Sequence, residues 1–484
     1  MRNSWLLWGA WASLALPALG LTLHERDVPA VIGMDIQRKD VVDPAARDRV
    51  RRKRDKTIGQ TLDNEQTLYF CNITLGTPKQ SLRLVMDTGS SDLWVNTPNS
   101  TLCDSKDNPC SDSGTYDASS SSSYSFVSSD FNITYADGST ASGDYVTDTL
   151  TVGGTTIKDF QFAVGFTSAS SEGVLGIGYT SNEVQSGQNG GKAYNNLPKE
   201  MVNKGLIKSN AYSLWLNDLD ASTGSILFGG VNTAKYHGSL ATLPIQKVGG
   251  AYHEFIIALT GVSVSTTSKT HNYSSKALPA GVLLDSGSSL TYLPDAITQD
   301  IYNDLDVTYD SSNGIGIVPC SLAEKDVNVT YTFSSPEINV AVGELVLDMG
   351  DYHYNNGERA CIFGIAPAGS STAVLGDTFL RSAYVVYDLA NNEISLANTH
   401  FNTTDNNVLE IGTGADSVPS ATGVSNPVTS VAVAGSGARI GGIGGGGGGG
   451  GGILTTTENA APKQTGMAHH FAIGLAGAGY LLAL

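Results

Sequence analysis

The chain has 484 residues, of which 40% are hydrophobic, and its 28 Lys and Arg against 46 Asp and Glu give a formal net charge of −18. A chain of this length buries at least one large core and suggests two or three domains. So acidic a surface repels phosphate polymers, which excludes nucleic acid as a partner.

The N-terminus carries Arg2, then an apolar run from Trp5 to Leu16, then the small residues Ala18 and Gly20. This is the pattern of a secretory signal over residues 1–20, too short to remain as a membrane span. Residues 21–54 hold nine Lys/Arg and six Asp/Glu and end in Arg51-Arg52-Lys53-Arg54. They read as a propeptide cut after Arg54 by a processing convertase. A basic leader on an acidic body makes an electrostatic latch that loosens as carboxylates protonate. Export in turn implies disulfides among the five cysteines. It also implies N-glycans at the Asn-X-Ser/Thr sequons Asn72, Asn99, Asn132, Asn272, Asn328 and Asn402. Asn72 and Asn132 fall on predicted strands.

From about residue 65 to 400 the chain consists of short Val/Ile/Thr/Tyr-rich runs broken by Gly, Ser, Asn and Asp, the pattern of mostly antiparallel β-structure. Helical spacing is confined to two patches, at 195–206 and 295–305. The expected body is all-β with few short helices. Its two lobes, 55–240 and 241–405, meet near residue 240 with a cleft between them.

The lobes carry matched motifs. Val85-Met86-Asp87-Thr88-Gly89-Ser90-Ser91 is nearly repeated as Leu283-Leu284-Asp285-Ser286-Gly287-Ser288-Ser289. Val174-Leu175-Gly176 ends 89 residues after Asp87, and Val374-Leu375-Gly376 ends 91 residues after Asp285. A single Asp-Ser-Gly is ordinary turn chemistry. Two copies at a fixed internal offset signal a duplication that brings two carboxyls to one place. Two close carboxyls do not easily both ionise, so one serves as acid and the other as base.

These motifs resemble those of the pepsin-like aspartic proteases over roughly residues 65–398. Residues 70–78 resemble the opening strand of that family, Met86–Val95 its first active-site loop, and Tyr116-Asp117-Ala118-Ser119 the segment before the flap. Ile133–Ser139 resembles the flap itself, and Leu375–Arg381 with Tyr384–Asp388 the closing segment. The ends of the chain point to the fungal, membrane-anchored, yapsin-like branch. The resemblance implies a bilobal acid-protease fold whose Asp87 and Asp285 share one proton and activate a water against a peptide bond. Thr88 and Ser286 would then bond across the lobes, Gly89 and Gly287 would turn the loops, and Ser90 and Ser288 would orient the carboxylates. Tyr135 would close over substrate with Trp94 as its partner. Asp137 would admit basic P1 residues beside large apolar ones. The pairs Cys103–Cys110 and Cys320–Cys361 match the two bridges usual in the family, leaving Cys71 as an inert buried thiol or an intermolecular link. No metal or cofactor is implied. The partners are protein or peptide substrates, and the body is expected to be a monomer.

After Asp405 the composition changes to Ser, Thr, Gly and Ala, with nine consecutive glycines from Gly444 to Gly452. Residues 406–459 read as a flexible tether. Asn459-Ala460-Ala461, a polar spacer and the uncharged tail Phe471–Leu484 together read as a GPI-anchor signal attached at Asn459, with 460–484 removed. The expected location is the cell surface, on the outer leaflet or in the wall. A catalytically dead wall protein binding through its cleft is the rival class, and the two intact Asp-Thr/Ser-Gly loops count against it. The chain has no His-Glu-X-X-His zinc motif and no Gly-X-Ser-X-Gly elbow.

Overall fold

The computed structural model describes residues 29–39, 68–135, 139–187, 191–221 and 223–431. The expected signal, most of the propeptide with Arg54, the glycine run, Asn459 and the apolar tail lie outside them.

The described residues are mostly strands, with three α-helices at Leu197–Asn203, Asp295–Asp304 and Asp377–Leu380. The first two fall inside the patches picked out by helical spacing. Asp295–Asp304 buries Ile297 and Ile301, four apart on one face. No helix among the described residues is long and apolar enough to cross a membrane.

A fourteen-stranded sheet runs through the first half and continues under the second. Its centre is the hairpin Leu68–Leu75 and Gln80–Asp87, paired in antiparallel register Phe70↔Val85. One end is the flap hairpin, Ser125–Thr134 with Thr140–Val152, packed on Thr155–Ser168. Towards the other end, Ala211–Trp215 from the first half pairs with Ala383–Asp388 from the second. One sheet thus joins the halves. A five-stranded sheet holds the second active-site loop, in the order Ile256–Leu259, Ala280–Leu284, Ala373–Leu375, Thr291–Leu293, Ile365–Pro367.

The duplicated motifs become duplicated geometry. Gln80–Asp87 pairs in parallel with Gly173–Gly176, placing Val85 on Val174, Met86 on Leu175 and Asp87 on Gly176. Ala280–Leu284 pairs in parallel with Ala373–Leu375, placing Leu283 on Val374 and Leu284 on Leu375. A strand buried on both faces reads as a continuous apolar run, which is why both motifs begin with two apolar residues before the Asp. Gly176 ends its strand and Gly376 follows directly on its strand, both where any side chain would collide. A Cβ at 176 would lie 2.6 Å from the Ser91 nitrogen, and one at 376 would lie 2.4 Å from the Ser288 oxygen.

Two segments depart from expectation. Ile32–Lys39, part of the leader, is a strand inserted between Leu68–Leu75 and Thr223–Phe228. Its Ile32, Met34 and Ile36 are buried in the main core. The leader is therefore held by a backbone ladder and apolar burial, and a purely electrostatic latch does not describe it. The expected tether is packed at its start. Val408–Glu410 pairs with Gly230–Asn232, and Ala421–Gly423 pairs in parallel with Leu240–Pro244. Ile411 and Val418 are buried. Short apolar anchors at wide spacing among Ser, Thr and Gly carry no period, so the composition alone hid this strap.

Candidate active site

Asp87 ends its strand, and the next residues turn so that the loop folds back on its own carboxylate. The Gly89 N–H donates to Asp87 Oδ1 at 2.8 Å, and the Ser90 hydroxyl donates to Oδ2 at 2.6 Å. The second loop repeats this pattern. The Gly287 N–H donates to Asp285 Oδ1 at 2.8 Å, and the Ser288 hydroxyl donates to Oδ2 at 2.7 Å. Bonds of this length hold a carboxyl group in one orientation. Asp87, Ser90, Asp285 and Ser286 are at most 1% exposed.

The two loops are bolted together. Thr88 Oγ1 donates to the Leu284 carbonyl at 2.9 Å and accepts from the Ser286 N–H at 3.0 Å. Ser286 Oγ donates to the Met86 carbonyl at 2.9 Å and accepts from the Thr88 N–H at 3.2 Å. Each hydroxyl satisfies two backbone groups of the opposite loop, and these bonds span almost 200 residues of sequence. They set the Asp-bearing turns side by side.

Below the loops lie two residues that the sequence reading did not single out for the site. The Tyr212 and Tyr387 rings stack at 5.0 Å between centroids, and Tyr212 donates to the Ile177 carbonyl at 3.0 Å. Burial, then the neighbouring phenols and the Asp87 carboxylate, hold the Tyr212 hydroxyl far above its ordinary range. Both phenols stay protonated and form an uncharged floor. Their strand positions look like ordinary core aromatics, so only the three-dimensional pairing of the halves reveals them.

Tyr135 closes the first flap strand, is 5% exposed, and is bonded through its N–H to the Ser139 carbonyl. Its hydroxyl accepts from Trp94 Nε1 at 2.6 Å. Asp137 lies outside the described residues. A second network backs the flap: Asp92 accepts from the Tyr145 hydroxyl at 2.8 Å, the Tyr194 hydroxyl at 3.2 Å and the Val184 N–H at 2.9 Å. Asp92 follows the first motif directly, but Ser289 of the second motif is followed by Leu290, so the duplication gave no signal for it.

The structure joins Cys103 to Cys110 and Cys320 to Cys361. Cys71 is a buried free thiol facing the Leu84 carbonyl, its pKa pushed up to about 12 by burial. That environment makes it inert and inaccessible to a second chain. Among the sequons, Asn72, Asn99, Asn132, Asn272 and Asn402 are exposed and Asn328 is half-buried. The Asn402 amide is engaged by Asp218.

Residues 68–399 match the family model described as eukaryotic aspartyl protease. The chain is 68% identical, over the whole of both chains, to the "Probable aspartic-type endopeptidase opsB" of Aspergillus oryzae. It is 35% identical to an "Acid protease" of Saccharomycopsis fibuligera, over 82% of this chain and 98% of that one. It is 36% identical to "Aspartic proteinase yapsin-3" of Saccharomyces cerevisiae, over 78% of this chain and 75% of that one. With two interlocked Asp-Thr/Ser-Gly loops inside the matched region, the chain belongs to the eukaryotic aspartyl protease family and is a pepsin-like aspartic-type endopeptidase.

Proposed function

We propose that Asp87 and Asp285 are the catalytic pair and that the enzyme cuts internal peptide bonds in acid. The observation that carries this is the reciprocal hydroxyl bonding of Thr88 and Ser286, which ties together the two loops that bear the aspartates. The ionised member takes a proton from water, and that water attacks the scissile carbonyl. The protonated member donates to the carbonyl oxygen. Such a pair titrates as a unit, so neither Asp owns the proton. This proton-sharing logic is the general one for aspartic-protease dyads. Ser90, Ser288, Gly89 and Gly287 hold the carboxylates in place, and the flap hairpin, through Tyr135 and Trp94, excludes water and aligns the peptide.

Specificity and location are finer parts of the same proposal. Asp137, two residues beyond Tyr135, supports acceptance of Lys at P1, and Asp137→Ala then lowers the Lys-to-Leu cleavage ratio. The apolar N-terminal run, the disulfides and the sequons support export. The tetrad ending at Arg54 supports convertase processing, and the residues around Asn459 support a GPI anchor at the cell surface. Digestion of a peptide library by purified enzyme across pH tests the activity. Release of the protein from cells by a phosphatidylinositol-specific phospholipase tests the anchor. Cleavage that is absent in acid, or insensitive to a statine-type inhibitor, contradicts the reading of the pair.

A further inference from the structure

The outer face of the flap hairpin carries an open, shallow groove of about 720 Å³. It is lined by Asp130, Asn132, Ser142, Asp144, Phe166 and Thr167, among others. Its form follows from the strand register. Asn132 pairs with Ser142, and Ser142 with Thr167, so the three make one row across three strands. The next row pairs Gly143 with Gly165. Phe166 therefore has no partner on the neighbouring strand. It is the extra residue of a β-bulge, a device that re-aims a side chain. The bulge turns its ring outward and leaves it 47% exposed, unusual for a large apolar side chain here. Gly143 is obligatory at this point, since a Cβ there would lie 1.9 Å from the Val164 carbonyl oxygen.

Asn132 begins the sequon Asn132-Ile133-Thr134. Its side chain is exposed, and its amide carries no hydrogen bond to any described residue. The groove that contains it has an aromatic wall at Phe166 and carboxylates at Asp130 and Asp144. Pyranose rings pack their apolar faces on aromatic rings, and carboxylates accept from sugar hydroxyls. We propose that the occupant of this groove is the chain's own N-glycan on Asn132, with its core N-acetylglucosamines lying on Phe166 and bracing the outside of the flap hairpin. In the transfer, Asn132 Nδ2 loses a proton and bonds to the anomeric carbon of the first sugar, while the lipid pyrophosphate of the oligosaccharide donor leaves. The occupant is argued from attachment: the acceptor residue Asn132 itself lines the groove. The inference rests on the secretory reading above and adds to it a docked conformation and a neighbour for the sugar.

The test uses full-length protein secreted from a yeast host, with site-by-site glycopeptide mass spectrometry during native digestion by endoglycosidase H. The glycan on Asn99, an exposed loop residue, serves as internal control. The expected result is release from Asn132 about ten-fold slower than from Asn99, because the docked core must first leave the groove. Phe166→Ala brings the two rates together, and Phe166→Tyr keeps them apart. Equal rates in the wild type overturn the inference. So does a bare Asn132 beside an occupied Asn99, which leaves the secretory reading intact. Six bare sequons overturn both. Dimerisation of the glycosylated wild type that Phe166→Ala abolishes assigns the patch to a second copy and also overturns it.

Discussion

Thr88 and Ser286 each use one hydroxyl to satisfy two backbone groups of the other's loop, so four hydrogen bonds of 2.9–3.2 Å tie the halves together beside the two aspartates. Removing either hydroxyl strands buried backbone partners, which costs about 1–3 kcal/mol each. Thr88→Ala and Ser286→Ala each lower the unfolding free energy by about that amount, and their double-mutant cycle shows coupling of about 0.5–3 kcal/mol. Urea denaturation measures both. Thr88→Ser retains the hydroxyl and most of the stability. Strict additivity would show that the two residues do not act as one clamp.

The flap partnership predicts a kinetic effect beyond the stability cost of trimming a buried side chain. Trp94→Phe keeps most of the packing and removes the donor to the Tyr135 hydroxyl. A net loss of about 1–1.5 kcal/mol in holding the closed flap corresponds to about a ten-fold fall in kcat/KM. Steady-state kinetics on a fluorogenic peptide, compared with thermal unfolding, reads the two effects separately.

Asp148 gives a pH dependence of stability that is separate from catalysis. Burial works to raise its pKa, but hydrogen bonds from Ser121, Ser123 and Tyr116 outweigh it, and the carboxyl sits below its ordinary value. The Tyr116 hydroxyl donates at 2.6 Å and the Ser123 hydroxyl at 2.5 Å. A depressed carboxylate contributes stability above its unfolded pKa of about 3.9, and that contribution is lost as pH falls through the folded value. Asp148→Asn is therefore destabilising by about 1–3 kcal/mol near pH 6, and the difference from wild type shrinks as pH falls below the unfolded carboxyl value. Unfolding curves across pH check the sign. A gap that widens in acid would contradict it.

Arg381 is fully buried, with Nε 2.6 Å from Glu344 Oε2 and an Nη donating to the Glu344 carbonyl. Glu344 also accepts from the Leu219 N–H of the first half at 3.1 Å. Removing one partner of a buried ion pair leaves the other charge uncompensated, so Arg381→Ala costs about 3–5 kcal/mol. Calorimetry on the purified variant measures this. A cost below about 1 kcal/mol would place the pair among surface-like bridges.

The strap beyond the second lobe predicts where truncation hurts. A chain ending at Asp405 loses the burial of Ile411 and Val418 and both of the strap's strand pairings. Full burial of such side chains is worth about 1.5–3 kcal/mol each, so this truncation lowers stability by several kcal/mol. A chain ending at Val431 does not. Comparing the two truncations by thermal unfolding decides the point.

What was legible in the sequence follows from what repeats or alternates. Asp87 and Asp285 stood out because their loops are copies, and the parallel partners at Val174–Gly176 and Val374–Gly376 because their offsets match. The helices at 197–203 and 295–304 showed a four-residue apolar step. The strand at Ile32–Lys39 was hidden because a charge count dominated that stretch. Its three apolar residues alternate with Gly33, Asp35 and Gln37, a period that does mark a strand. Ile411, Val418 and the bulged Phe166 have no local signal: what makes them matter is a partner strand far away in sequence. Tyr212 and Tyr387 become site residues only when the halves share a sheet.

The central claim is that Asp87 and Asp285 act as one proton-sharing pair. The direct measurement is the acid-pH hydrolysis rate of the activated enzyme beside Asp87→Asn and Asp285→Asn, with circular dichroism confirming that both variants fold. Each replacement alone is predicted to lower kcat by at least about 10²–10⁴-fold, and the double variant is predicted to lose little more than either single one. Wild-type hydrolysis by either variant would contradict the account.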